Sequence, residues 1–160
     1  MKFLNLSTER FQLNVMKPEL VSDVYLNWLK DDQTNKFIIN KKFTLPELKT
    51  YCNNKLNSDS CIFWGIFYNS LHIGNIKYEP INFKEKNAVM GVLIGDKHWQ
   101  GKGVFKEIFH KTSQELFKIG INKIFLGVDS QNLNAIKSYT NIGFKILETK
   151  QSVHTMVFQF

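Results

Sequence analysis

The chain has 160 residues, 43 % hydrophobic and 22 % charged, which is enough apolar material to close one core and too much for a disordered chain. Its formal charge is +7, from 21 basic residues of which Arg10 alone is arginine. So lysine-rich a chain has almost none of the planar forks used for reading bases, which argues against sequence-specific nucleic-acid recognition; a field that attracts nucleic acid, acidic membranes or phosphorylated small molecules suggests an anionic ligand without identifying one. Neither an apolar run of ~20 residues nor a secretory leader is present, since Met1 to Ser7 turns polar at once, so a cytoplasmic protein without a membrane anchor is expected. Cys52 and Cys61 fit neither a disulfide framework nor a zinc spacing, and no metal is expected. With no repeat and no Pro/Gly-rich linker, residues 1–160 read as a single domain whose oligomeric state stays open, a homodimer included.

In chain order, Glu9 to Val15 alternates polar and apolar residues and predicts a strand. Pro18 opens a helix predicted to run through Leu29. Thr44-Leu45-Pro46-Glu47 is a capping box that starts a second helix over Leu45 to Leu56. Cys61 to Tyr68 and Leu71 to Tyr78 are β-rich runs joined by Asn69-Ser70, a hairpin signal, and Asn87 to Gly95 is a further strand. Apolar residues at 105, 108, 109, 116 and 119 make a helical stripe over Val104 to Ile119, with Gly120 as its C-terminal stop. Asn122 to Val128 predicts a strand and Leu133 to Ile142 a helix. Gly143-Phe144 leads into a strand to Glu148, and Val153 to Phe160 is the last strand. This order predicts an α/β (α+β) fold, a mixed twisted sheet of about six to seven strands flanked by about four helices.

The segment from Ile94 to Phe105 joins a strand to a long helix and carries Gly101 and Gly103 around Lys102. Unpaired N–H groups at a helix start favour a phosphate, and glycines let a bulky anion approach the backbone. The spacing is not that of a P-loop and lacks the third glycine of the dinucleotide fingerprint. Downstream, Asn132, Ala135, Tyr139, Gly143 and Phe144 lie in a second strand-to-helix unit, with Ala135 and Tyr139 on one helix face.

These two segments resemble the GNAT N-acetyltransferase superfamily. Its pattern [QR]-x-x-G-x-[GA] is met by Gln100 to Phe105, with Phe105 where Gly or Ala is usual, and N-x-x-A-x-x-x-Y-x-x-x-G-F by Asn132 to Phe144. The resemblance runs from about Thr8 to the C-terminus and implies a GNAT-like fold with splayed parallel strands, here Asn87–Gly95 and Asn122–Val128. It implies acetyl-coenzyme A as cosubstrate, its pantetheine arm on the backbone of Leu93, Ile94 and Gly95. The diphosphate would rest on Gln100, Gly101, Lys102, Gly103, Val104 and Phe105, with Asn132, Asn134 and Lys137 beside it. Phe105 is expected to turn into the core. Tyr139 matches the tyrosine that protonates the leaving thiolate, and N–H groups near Leu93 and Ile94 would polarise the thioester carbonyl.

Where many relatives place a glutamate base, this chain has Val89. Glu79 is the first substitute, then His72 and His110. Tyr25 to Asp32 looks like the Y-L-x-W-L-x-D stretch of relatives that modify protein N-termini or nucleotide-linked amino sugars, with Trp28 read as core and Asp31 and Asp32 as candidates for an ammonium. The expected function is direct acetyl transfer to the primary amine of a small acceptor, an amino sugar ahead of a protein N-terminus. The alternatives are a catalytically silent acyl-coenzyme A-binding module and, behind it, a basic nucleic-acid-binding domain.

Overall fold

A computed structural model of the protein describes residues 4–31 and 43–160. Among these residues eight strands form one sheet: β1 (Leu6–Ser7), β2 (Gln12–Val15), β3 (Ile62–Tyr68), β4 (Leu71–Asn82), β5 (Asn87–Ile94), β6 (Lys123–Asp129), β7 (Lys145–Lys150) and β8 (Val153–Gln159). They lie in the order β1-β2-β3-β4-β5-β6-β8-β7. Only β5 and β6 pair in parallel; every other neighbour pair is antiparallel. Among the described residues four α-helices flank the sheet: α1 (Asp23–Lys30), α2 (Leu45–Leu56), α3 (Val104–Lys118) and α4 (Leu133–Asn141).

The first predicted strand, Glu9 to Val15, is shortened to β2, and a further strand that was not predicted, β1, precedes it. Thr8 closes the turn between them, its N–H donating to Phe11 O at 2.8 Å and its hydroxyl accepting from Phe11 N, and β1 raises the strand number to eight. The predicted helix from Pro18 is also divided: a single 3-10 turn, Pro18–Leu20, ends at extended Val21, and α1 begins only after Ser22. The capping box at Thr44 and Glu47 forms as predicted. Asn69 and Ser70 both take positive φ, 44° and 67°, which matches the twist of a two-residue hairpin. Beyond Tyr78, β4 continues to Asn82 through an irregularity that skips Glu79 and Pro80 in the pairing with β5.

Alternation along each strand sorts side chains onto two faces. Ile62, Trp64 and Ile66 of β3 join Ile108, Phe109 and Leu116 of α3, while Cys61 and Phe63 join Leu26, Trp28, Leu48 and Cys52 under α1 and α2. A strand covered on both sides must be apolar throughout, which is why Cys61 to Tyr68 carries no charge. Among the described residues no helix is long and apolar enough to cross a membrane.

Candidate active site

Strands β5 and β6 pair only at Asn87–Val89 with Lys123–Phe125. Beyond that point β5 stays on β4 through Ile94 and β6 stays on β8 through Asp129, so the two diverge and leave a wedge in the middle of the sheet. Which main-chain groups face the wedge follows from the alternation of peptide directions. Lys86 O accepts from Asn122 and Lys123 N on the β6 side, whereas Gly95 N donates to Ile73 O on the β4 side. Even-numbered residues therefore present their N–H and C=O to the wedge and odd-numbered ones to β4. Met90, Val92 and Ile94 face the wedge; Leu93 does not.

Two of the expected positions, Leu93 and Gly95, turn their main-chain groups away from the wedge. Leu93 bonds within the β4–β5 ladder and packs its side chain against the buried cluster that contains Trp28, and Val92, which no motif singles out, supplies the open N–H next to Ile94. Gly95 is buried with its N–H already taken. Its lack of a side chain serves Trp28, whose indole occupies the space a Cβ would need. The Ile94 carbonyl is closed off by Gln100, whose Nε2 donates to it at 2.9 Å and so folds the loop back on the strand end.

The loop then enters α3 in an open, left-handed form. Gly101 (φ 71°) and Gly103 (φ 74°) flank Lys102, and α3 has no side-chain cap. The first main-chain bond into the helix is Glu107 N to Gly103 O, so among the described residues nothing accepts from the N–H groups of residues 101–106. Alternating backbone hand turns successive N–H groups inward, an arrangement suited to anions. A Cβ at Gly101 would meet nothing within 4 Å, and one at Gly103 only an Arg10 guanidinium nitrogen at 3.8 Å, so the cradle is open to an incoming group. The Lys102 ammonium donates to His98 Nε2 at 3.0 Å and stands 5.8 Å from the Trp99 ring. Val104 is buried and Phe105 turns into the core as expected, with its ring 5.1 Å from Tyr139 and 5.6 Å from Phe109.

That contact places Tyr139 beside the start of α3, packed against the core on that face of the sheet. It stands on α4, edge-on to Phe105 and 5.8 Å from Phe144, and its hydroxyl bonds to no other described residue. Burial pushes its phenol up to about 12 because a phenolate would lose its hydration there. Asn132 caps α4 by accepting from Ala135 N at 3.3 Å, which leaves its amide NH₂ at the helix start; Asn134 and Lys137 are exposed on the same helix.

Glu79 and His72 lie on the opposite face of the sheet and His110 on α3, and each of these candidate bases makes a hydrogen bond or an ion pair. Burial raises the Glu79 carboxyl, but ion pairs with Lys55 at 2.7 Å and Lys77 at 3.1 Å outweigh it and hold the group below its ordinary range. A carboxylate so paired is a poor proton acceptor, which counts against the role first expected for it. His72 is buried against Phe67, Trp28 and Tyr25, and burial lowers its pKa against the opposing bonds to Asn75 and Gly74. His110 lies on the far side of α3, paired with Gln114. Trp28 is core, Asp31 pairs with Lys97 at 3.2 Å, and Asp32 lies outside the described residues. Among the described residues no group of three or more His, Cys, Asp or Glu could hold a metal.

Comparisons with known proteins bear on the fold and the family of the chain. No protein of curated function matches the chain by sequence. Among solved structures, spermidine N-acetyltransferase from Vibrio cholerae in complex with CoA and spermine superposes with a TM-score of 0.82 at 18 % identity, over 94 % of this chain and 95 % of that one. PaiA N-acetyltransferase from Thermoplasma acidophilum in complex with coenzyme A gives 0.78 at 18 %, over 94 % and 99 %. The microcin C7 self-immunity acetyltransferase in complex with acetyl-CoA and AMP gives 0.81 at 14 %, over 95 % and 93 %. At these identities the likeness shows the fold. The sequence signature of the acetyltransferase (GNAT) domain matches residues 10–145, most of the chain and both motif segments, and the protein therefore belongs to the GNAT acetyltransferase family.

Proposed function

We propose that the protein transfers acetyl from acetyl-coenzyme A directly to the primary amine of a small acceptor, with an amino sugar, free or nucleotide-linked, ahead of a protein N-terminus. The observation that carries this reading is the wedge itself: among the described residues the amides of Val92 and Ile94 face it without a partner, the N–H groups of residues 101–106 lie open in the loop that follows, and Tyr139 packs on Phe105 at the start of α3. Acetyl-coenzyme A supplies the activated acyl group. The loop amides hold its diphosphate, with Asn132, Asn134 and Lys137 alongside. The Val92 and Ile94 N–H groups are placed to polarise a carbonyl in the gap. Tyr139 keeps its proton at neutral pH and is placed to donate it to a departing thiolate. Neither cysteine takes part: both thiols are buried, which pushes the Cys61 thiol up to about 11 and the Cys52 thiol up to about 12.

The charge between α2 and β4, taken as the acceptor side, supports the choice of acceptor. Lys55 and Lys77 bracket the single carboxylate Glu79, leaving a local excess of positive charge within a chain of net +7. Such a surface repels a polycation and accepts a neutral or anionic amine-bearing molecule. Glu79 acts here as a structural anchor between α2 and β4, and the acceptor amine enters neutral or loses its proton to water.

Two variants test these assignments. Gly103→Glu forces a side chain into left-handed backbone and adds a carboxylate at the cradle, and it weakens coenzyme A binding by more than about tenfold in calorimetry. Unchanged affinity would put the diphosphate elsewhere. Glu79→Gln leaves the pH profile of kcat in place and lowers stability modestly. Because the folded carboxyl titrates low, its contribution is present above the ordinary glutamate range and fades as pH falls through the folded value. A lost acidic limb in that variant would restore Glu79 as the base. The reading as a whole is tested by release of free coenzyme A thiol from acetyl-coenzyme A across a panel of amino sugars, their nucleotide-linked forms, peptides and polyamines. Binding without turnover on any amine would instead favour an acyl-coenzyme A-binding module, the reading that the missing carboxylate at Val89 supports.

A further inference from the structure

The only arginine of the chain sits where a lysine would not serve. Arg10, in the turn between β1 and β2, donates through Nε to Glu107 Oε2 at 2.7 Å and through Nη2 to the Lys102 carbonyl at 3.1 Å. Its own main-chain N–H donates to Glu107 Oε1 at 2.8 Å, the Thr8 hydroxyl donates to the same oxygen at 2.6 Å, and the guanidinium carbon lies 4.8 Å above the Phe11 ring. Two acceptors lying in different directions are met at once by a rigid planar fork; an ammonium on a flexible stem meets them one at a time.

Lys102 is the residue between the two loop glycines, so the bond to its carbonyl fixes a particular peptide plane. That plane is trans, and its carbonyl and the N–H of Gly103 therefore point in opposite directions. With the Lys102 oxygen drawn toward Arg10, the Gly103 N–H is turned away from Arg10, into the cradle formed by residues 101–106. Glu107 anchors the other prong one turn into α3 and ties the turn of β1–β2 to the helix. Both side chains border an open pocket of about 360 Å³ with Gly103, Lys106 and His110, on the side of α3 facing away from Phe105 and Tyr139.

We propose that Arg10 is a positioning residue for the donor site: clamped by Glu107, it holds the Lys102–Gly103 peptide in the orientation that presents the Gly103 N–H to the coenzyme's diphosphate. The inference rests on the acetyl-coenzyme A reading above. A merely structural role predicts little, because an ion pair whose arginine side chain is 37 % exposed is screened by solvent and adds little to stability. The residue acts through the loop and not as a direct ligand, so its removal affects ligands that carry a diphosphate and spares the rest of the site.

The test is calorimetric binding of coenzyme A and of ADP, the diphosphate without the pantetheine arm, to the full chain and to its Arg10→Lys and Arg10→Ala variants, with melting temperatures alongside. Arg10→Lys keeps the charge and most of the stem. It is expected to melt with the unmodified protein while binding both ligands about tenfold more weakly, the scale of one well-placed bond to a charged group. Arg10→Ala is expected to weaken both by at least as much. Equal affinities for Arg10→Lys and the unmodified protein overturn the proposal, as does a loss confined to coenzyme A with ADP unaffected. Failure of the unmodified protein to bind coenzyme A overturns the acetyl-coenzyme A reading itself, a result distinct from either of these.

Discussion

Replacing Tyr139 by Phe lowers kcat by about a hundredfold and leaves the dissociation constant for coenzyme A within about twofold, the size of effect expected for one positioned proton donor. The substitution is unusually clean for a half-buried tyrosine. The hydroxyl bonds to no other described residue, and the ring keeps its edge contacts with Phe105 and Phe144, so folding loses nothing that the oxygen supplied. Burial holds the phenol at about 12, so Tyr139 stays protonated across the working range and does not produce a basic limb in kcat below that value. Steady-state kinetics against pH, with calorimetry for the coenzyme, read both parts. Turnover equal to that of the unmodified protein would remove Tyr139 from the chemistry and leave it as a packing residue.

Gly95→Ala is expected to cost about 1–3 kcal/mol of stability, the range for overpacking a filled core, and at this chain length to lower the melting temperature by several degrees. A Cβ at Gly95 would land on the Trp28 indole, which is 8 % exposed and held among Tyr25, Leu29 and Leu93. Gly91→Ala serves as the control, because a Cβ there meets nothing within 4 Å and the variant should melt close to the unmodified protein. Shrinking the indole in a Trp28→Leu, Gly95→Ala double variant relieves the clash, so the two losses combine to less than their sum. Strict additivity in that cycle, or an unchanged melting temperature for Gly95→Ala, would show that Trp28 moves aside freely.

Local chemistry accounts for what was legible in the sequence. The capping box at Thr44, the stop at Gly120 and the turn at Asn69-Ser70 depend on neighbours within a few residues, and each formed where its residues predicted. The glycine loop and the Asn132-to-Phe144 segment identified the family for the same reason: each is a short, contiguous pattern with one backbone task. Phe105, the residue that departs from the pattern, was placed correctly because helical period alone decides which way it points.

Tertiary structure decided the rest. Parity along β5 cannot be read from an apolar run, and a shift of one residue exchanges Leu93 for Val92 at the wedge; the bonds from Lys86 and Gly95 to different neighbours fix it. Glu79 looks like a free carboxylate until α2 and β4 bring Lys55 and Lys77 to it, and Gly95 looks like a cofactor contact until α1 lays Trp28 across it. Arg10 stands 92 residues from the carbonyl it holds. Periodicity and motif spacing report what a residue does to its own stretch of backbone; pairing, occlusion and orientation depend on which distant segment arrives beside it, and only the packed sheet supplies that.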